Sequence, residues 1–367
     1  MPLPRVTKAT VRVLFAYDIG LSIQLERCGR FVTGLTADER IKHKGHAPEY
    51  FQFDPAPLHV LEGIEPLRFG AFATDAVAEL TLFDFGGVSV AYTIPFEGDF
   101  EALVELSCVL AETEVVREDS RRRVEKLLGL VRDAVAKPGI AAVDEDYLVF
   151  QIESFASPVA IEDLHGAHAP DVARLLRSER DPLSDQEITD ALAGRVSFGR
   201  SDVALVDWNA ALLVDSEPDD VLALLEFTNL QLLEMRFLDA QLDKALDRAY
   251  DVSNQPQTWT RLRLPGTTRH ELRKVAQMKV DGAILFERVS NAIKMLGDQY
   301  LARVHRQVSQ RYRMNEWNAG ILRKLDTIEG IYQKVHDHAA AFRMEALEWI
   351  VIFLIGIEVM ITVFGWH

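Results

Sequence analysis

The hydrophobic pattern of this chain changes character at Pro218. Before it, apolar residues come in short alternating or continuous runs bounded by Gly, Pro and Asp, as in strands and short helices. After it they recur every three to four residues over stretches too long for the helices of an ordinary compact domain. The chain is therefore expected to be α+β. An N-terminal mixed α/β domain (1–215) precedes a long antiparallel helical hairpin or bundle, coiled-coil-like (219–343), and a C-terminal hydrophobic helix (346–366). At 367 residues the chain is long enough for two or three domains.

In the first half, Val11 to Tyr17 predicts a strand. Glu79 to Ile94 predicts a hairpin turning at Gly86-Gly87, and Tyr147 to Ile152 a further strand. Phe100 to Glu112 has apolar positions at helical spacing, and Glu118 to Ala136 forms a charged amphipathic helix stopped by Lys137-Pro138-Gly139. Two short helices follow between Ile161 and Ala193, the second opened by the capping box Ser184-Asp185-Gln186-Glu187. Ala204 to Val214 is expected as one strand. The opening residues lack the cleavage site of a secretory signal, and Arg12 and Asp18 interrupt their apolar run.

In the second half, helices are expected over 219–250, 270–313 and 316–343. Leu222, Leu225, Thr228, Leu232, Met235 and Leu242 give the first an apolar stripe, and Leu301, Val304 and Val308 continue one on the second. The net charge of −16 argues against a generic nucleic-acid binder, yet Thr258 to Lys334 holds 15 basic and 7 acidic residues. This basic stretch either lies against the acidic helix 219–251 or faces anionic lipid or RNA, and a ribosome- or RNA-associated factor would use Arg303, Arg306, Arg311 and Arg313.

From Trp349 to Trp366 the sequence WIVIFLIGIEVMITVFGW carries one charge and reaches about 27 Å as a helix, close to the hydrocarbon thickness of a bilayer. Tryptophans bracket it, as at membrane interfaces. Glu348, Ile355, Glu358 and Thr362 share a helical face that could pair with a second copy. The expectation is a tail anchor with the bulk of the chain on the cytoplasmic side, in a bacterial cell at the inner membrane. A homo-oligomeric bundle burying this helix is the alternative.

The chain has no P-loop, dinucleotide fingerprint, nucleophile elbow or HExxH helix. Cys28 and Cys108 are far apart and signal neither a disulfide framework nor a zinc site. The pairs His43/His46 and His165/His168 lack a third ligand. Asp144-Glu145-Asp146 reads as a solvated turn before a strand, and Arg121-Arg122-Arg123 as an exposed helical face. No catalytic, cofactor-binding or metal-ligating residue is assigned.

The segments VDWNAALLVD (206–215), LEFTNLQLLEMRFLDAQLD (225–243) and MNEWNAGILRKLDTIEGIYQKVHDHAAAFRMEALEWIVIFLIGIEVMI (314–361) resemble the family named after "required for meiotic nuclear division", which includes the YagE-type proteins. The resemblance implies a membrane-associated, non-enzymatic role with no catalytic residues to carry over. The leading expectation is thus a membrane-anchored scaffold or tether that self-associates through its C-terminal helices. An enzyme with an unfamiliar site in the α/β domain, around Asp144–Asp146 or the His165 pair, and a ribosome- or RNA-associated factor are the alternatives.

Overall fold

The computed structural model describes residues 3–34, 41–43, 55–216, 218–254 and 299–364, with a few isolated positions between 273 and 280. Chain contacts divide it into two compact units. The first comprises Met1–Phe237 and Glu287–Glu316, the second Leu238–Phe286 and Trp317–His367.

The first unit is built on a nine-stranded sheet. In chain order its strands are β1 (Val6–Asp18), β3 (Ile41–His43), β4 (Leu58–Gly63), β7 (Val77–Leu82), β8 (Gly87–Gly98), β10 (Asp144–Phe155), β11 (Arg195–Val196), β12 (Val203–Val206) and β13 (Ala210–Val214). Across the sheet they run β11-β12-β13-β10-β1-β8-β7-β4-β3. All neighbours are antiparallel except β10 and β13, which are parallel. Two small ribbons pair β2 (Ser22–Ile23) with β9 (Val135–Ala136) and β5 (Arg68–Phe69) with β6 (Phe72–Ala73).

The expected hairpin is present. β7 and β8 pair from Ala78 opposite Tyr92 to Leu82 opposite Val88. Gly86 adopts φ 108°, and a side chain there would strike the Gly20 carbonyl, so the turn needs glycine. The run 204–214 is two strands instead of one. Asp207-Trp208-Asn209 turns the chain between β12 and β13, with Asp207 N donating to Ala210 O at 2.9 Å.

Strand alternation gives the sheet two different faces. Val11, Val13, Phe15 and Tyr17 of β1, with Val88, Val90, Tyr92 and Ile94 of β8, join the main apolar core. Helices α2 (Phe100–Glu112) and α3 (Val115–Val131) contribute Leu103, Leu106, Val124 and Leu127 to that core, which also takes in residues of α1 (Leu25–Gly34) and α5 (Ala169–Arg177). Tyr17 Oη lies 2.6 Å from Ser120 Oγ in this layer, and Ser120 Oγ also donates to Arg117 O at 2.8 Å. Tyr17→Phe should therefore cost only about 1 kcal/mol, because the serine keeps a partner. A shifted urea midpoint at constant slope would measure it.

The opposite face carries Leu14, Ala16, Asp18, Ser89, Ala91, Glu145, Tyr147 and Val149, all buried. The first half of α7 (Asp219–Asn254) closes it, bringing Leu230 against Gly87, where a Cβ would meet the leucine at 2.5 Å. Short helices α4 (Ile161–Leu164) and α6 (Asp185–Ala191) complete the run from β10 to β11. The capping box is half realised: Glu187 N donates to Ser184 Oγ at 3.3 Å, while the Glu187 carboxylate lies 3.7 Å from Arg177 Nη2.

Two further helices follow, α8 (Gln299–Arg311) and α9 (Met314–Phe364). Within the second unit, buried Ile321, Leu325, Ile328, Tyr332 and Val335 of α9 are spaced by alternating fours and threes, as in a coiled-coil seam. On α7, Leu242, Ala245 and Ala249 are buried at the same kind of spacing. Lys324 Nζ bridges Asp239 Oδ1 at 2.7 Å and Asp243 Oδ1 at 2.6 Å, so the acidic helix finds a basic partner on α9. Most of the basic stretch 270–298 lies outside the described residues.

The α+β class expected from sequence is present, but the terminal segment is not an element of its own. α9 runs unbroken through it from Met314. Among the described residues no helix is long and apolar enough to cross a membrane. This overturns the tail anchor, and with it the membrane-anchored scaffold and the placement at a bacterial inner membrane. Glu348, Trp349, Ile355 and Glu358 are exposed on α9; the Thr362 side chain and Trp366 lie outside the described residues.

Candidate nucleic-acid interface

Helix α8 lies against the β11–β12 edge of the sheet. Its apolar side, Leu301, Val304 and Val308, continues one turn on into Tyr312, and all four are buried. The same 3.6-residue period puts Arg303, Arg306, Gln310 and Arg313 on the opposite, exposed side. Arg313 has φ 51°, a left-handed residue that ends α8 before α9 begins at Met314.

Aromatic rings mark both ends of this arginine row. At the first end Phe198, 77% exposed, meets Tyr300 edge-on with centroids 5.7 Å apart. The Arg303 guanidinium stands 5.9 Å from the Tyr300 ring, and its Nη2 donates to Ser197 O at 3.2 Å. At the other end the Arg313 guanidinium sits 5.6 Å over Trp208, which is 40% exposed in the β12–β13 turn. Tyr300 and Arg313 are thirteen positions apart, so the ridge is about 20 Å long. Arg195 and Arg200 are exposed beside it. The acidic residue paired with the row, Glu316, reaches Arg313 only at 3.6 Å.

A buried ion network fixes α8 to the sheet. The Asp207 side chain is fully buried, with Oδ2 2.7 Å from Arg177 Nε of α5 and Oδ1 2.8 Å from Arg311 Nη2 of α8. Asp190 of α6 binds the same two arginines, at 2.6 Å and 3.1 Å. Burial raises the Asp207 pKa despite both guanidinium groups, whereas hydrogen bonding from Arg311 lowers that of the exposed Asp190. Tyr147 Oη donates to Asp207 O at 3.1 Å, and the Tyr147 and Tyr312 rings meet edge-on at 5.7 Å. Burial carries His305 down to about 4, so it is neutral at pH 7 and adds no charge to the ridge.

Of the four arginines singled out in the sequence, Arg303, Arg306 and Arg313 share the exposed row, while Arg311 is internal and only 13% exposed. Phe198, Tyr300 and Trp208 carry no motif in the sequence; only the packing of α8 beside two strand turns brings them to it. Asp144-Glu145-Asp146 is not a solvated turn but the start of β10. Arg117 bridges Asp144 and Asp146, and buried Glu145 pairs with Arg236 of α7. Arg121, Arg122 and Arg123 bind Glu125, Asp119 and both Asp119 and Glu62, respectively. A cleft of about 500 Å³ opens where Arg122, Arg123 and Lys126 meet Glu62, but each of these cations already holds a carboxylate. His43 lies in β3 and His46 outside the described residues. Among the described residues no three His, Cys, Asp or Glu side chains gather as a metal site. Cys28 and Cys108 are buried free thiols.

Comparison with known proteins places the recognisable part of the chain in the sheet unit. Residues 8–220 match the family model described as "Uncharacterized protein MJ0711, N-terminal domain". The uncharacterized protein MJ0711 of Methanocaldococcus jannaschii is 21% identical over 197 residues, which are 52% of this chain and 58% of that protein. The match thus spans under two thirds of the relative. No solved structure matches. The resemblance to the meiotic-nuclear-division and YagE-type family is thereby corrected. Most of the segments that carried it lie beyond residue 220, in helices whose apolar periodicity any coiled-coil-like region shares. Through residues 8–220, the chain belongs to the family of the MJ0711 N-terminal domain.

Proposed function

We propose that this protein binds single-stranded RNA along the α8 ridge. The observation that carries this reading is the exposed row of Arg303, Arg306 and Arg313, bracketed by Phe198 and Tyr300 at one end and Trp208 at the other. Rings offer stacking surfaces to unpaired bases, and arginines between them meet the phosphates, whatever the base sequence. The anchored Arg311 holds the helix, while Arg303, Arg306 and Arg313 lie on its exposed side. With a net charge of −16 the whole molecule repels a polyanion, so binding depends on this one face and is steeply weakened by salt.

Fluorescence anisotropy with a labelled unstructured RNA of about a dozen nucleotides tests this. Three phosphate contacts give a slope of log K against log salt of about −2. Reversing Arg303, Arg306 and Arg313 to glutamate should weaken binding at least about tenfold and flatten that slope. Trp208→Ala should weaken binding by roughly 1–3 kcal/mol with the slope retained, since stacking releases no counterions. Absence of binding at low salt would sink the proposal. Capture of a folded protein by the same Trp and Arg side chains, with no RNA binding, would reassign the ridge to a protein partner.

A further inference from the structure

We infer that Asp18 of β1 and Glu234 of α7 form a proton-sharing clamp, which holds α7 on the sheet while one proton bridges the carboxyls and loosens it when that proton leaves. Both residues are only 7% exposed and meet across the strand-helix boundary: Asp18 stands opposite Gly87, which packs on Leu230, one turn before Glu234. Two carboxylates in such contact, away from water, repel strongly; one acid and one carboxylate attract.

Among the described residues no cation is paired with either acid. Opposite Asp18 on β8 stands Gly87, without a side chain, and Ser89 follows on the same face. On β10 the nearby acid is Glu145, and it takes up Arg236, the arginine of α7 two positions beyond Glu234. Lys137, in the loop whose Gly139 and Ala141 amides bind the Ile19 and Asp18 carbonyls, is exposed. The Gly20 amide hydrogen-bonds the Asp18 carboxylate, and Gln231, one turn before Glu234, is buried. Burial accordingly raises both acids, Asp18 to about 7 and Glu234 well above its ordinary value.

Relief of the doubly ionised state requires movement, and β1 cannot supply it. That strand is bonded on both sides along nearly its whole length, to β8 and to β10. The helix has looser polar ties, such as Asn229 Nδ2 donating to Glu145 O at 3.5 Å. α7 is therefore the partner that yields, and the region around Glu234 opens first.

Hydrogen exchange of the full chain across about pH 6 to pH 9, corrected for intrinsic exchange rates, reads this directly. Amides from about 226 to 237 should lose protection about tenfold or more as pH rises, while β1 keeps its own. Glu234→Gln replaces the acid by a permanent donor to Asp18 and should abolish the pH dependence. A flat profile in the wild type, or an unchanged one in the Gln variant, overturns the clamp. Should that variant not fold, carboxyl carbon NMR of the wild-type chain decides: coupled titration of Asp18 and Glu234 supports it, and two independent ordinary carboxylates refute it.

Discussion

Replacing Asp207 by alanine should lower the unfolding free energy by about 3–5 kcal/mol, among the largest single-residue effects in this protein. The loss exceeds any deleted contact, because two arginines remain behind. Arg177 and Arg311 converge on Asp207 from α5 and α8, with side chains 24% and 13% exposed. Without the carboxylate, Asp190 must neutralise both from a half-exposed position. A double-mutant cycle with Arg311→Met separates the terms: removing both partners should cost clearly less than the sum of the single changes. Urea unfolding at constant slope measures it, and additive losses would show that the network is not coupled. The same change should weaken the proposed RNA binding, since α8 loses its anchor while its exposed arginines stay.

Stability should fall, not rise, between about pH 5 and pH 8. Burial raises Asp18 and Glu145 to about 7 and also raises Glu234. A raised acid binds its proton more tightly in the folded state. Its contribution is full below the unfolded value near 4 and is lost as pH climbs to the folded value near 7. At about 1.4 kcal/mol per pKa unit, such groups together weaken the fold by several kcal/mol over that window. His305 opposes them. Its folded value near 4 lies below the unfolded one, so its contribution is present above about 6.5 and is lost as pH falls toward 4. One histidine against five raised carboxyls, Asp207 and Glu226 included, leaves the maximum on the acid side, near pH 5. Denaturant unfolding at several pH values tests this, and a midpoint that is equal or higher at pH 8 would contradict it.

The sheet was legible wherever alternation and turn chemistry agreed. Gly86-Gly87 announced the β7–β8 hairpin, and Val11–Tyr17 and Tyr147–Ile152 lie inside β1 and β10. The turn at Asp207-Trp208-Asn209 was missed because its flanks are apolar on both sides and no glycine or proline marks it. Asp207 fell inside the single strand expected over 204–214, and only the convergence of α5, α6 and α8 makes it a buried hub. Likewise Glu145 read as solvent-facing, since nothing in one sequence says that α7 will cover that face with an arginine. The four arginines were singled out from the basic excess of 258–334; the helical period puts Arg303, Arg306 and Arg313 on the exposed side of α8 and Arg311 off it. The aromatic ends of the row were not legible, because Phe198 and Trp208 reach it from another part of the chain. The terminal helix misled for a different reason: hydropathy registers apolar length without regard to where a continuous helix begins.

The position of β1 in the middle of the sheet bears on the order of events during synthesis. It leaves the ribosome first, yet both neighbours come much later, β8 beginning 69 positions after its end and β10 126 positions after. At about 5–20 residues per second, this central strand waits several seconds for one edge and up to about 25 seconds for the other. In that interval it offers unpaired amides and carbonyls to any other nascent chain. Slowing elongation before residue 98 should therefore raise the aggregated fraction, and a chaperone that shields extended segments should lower it.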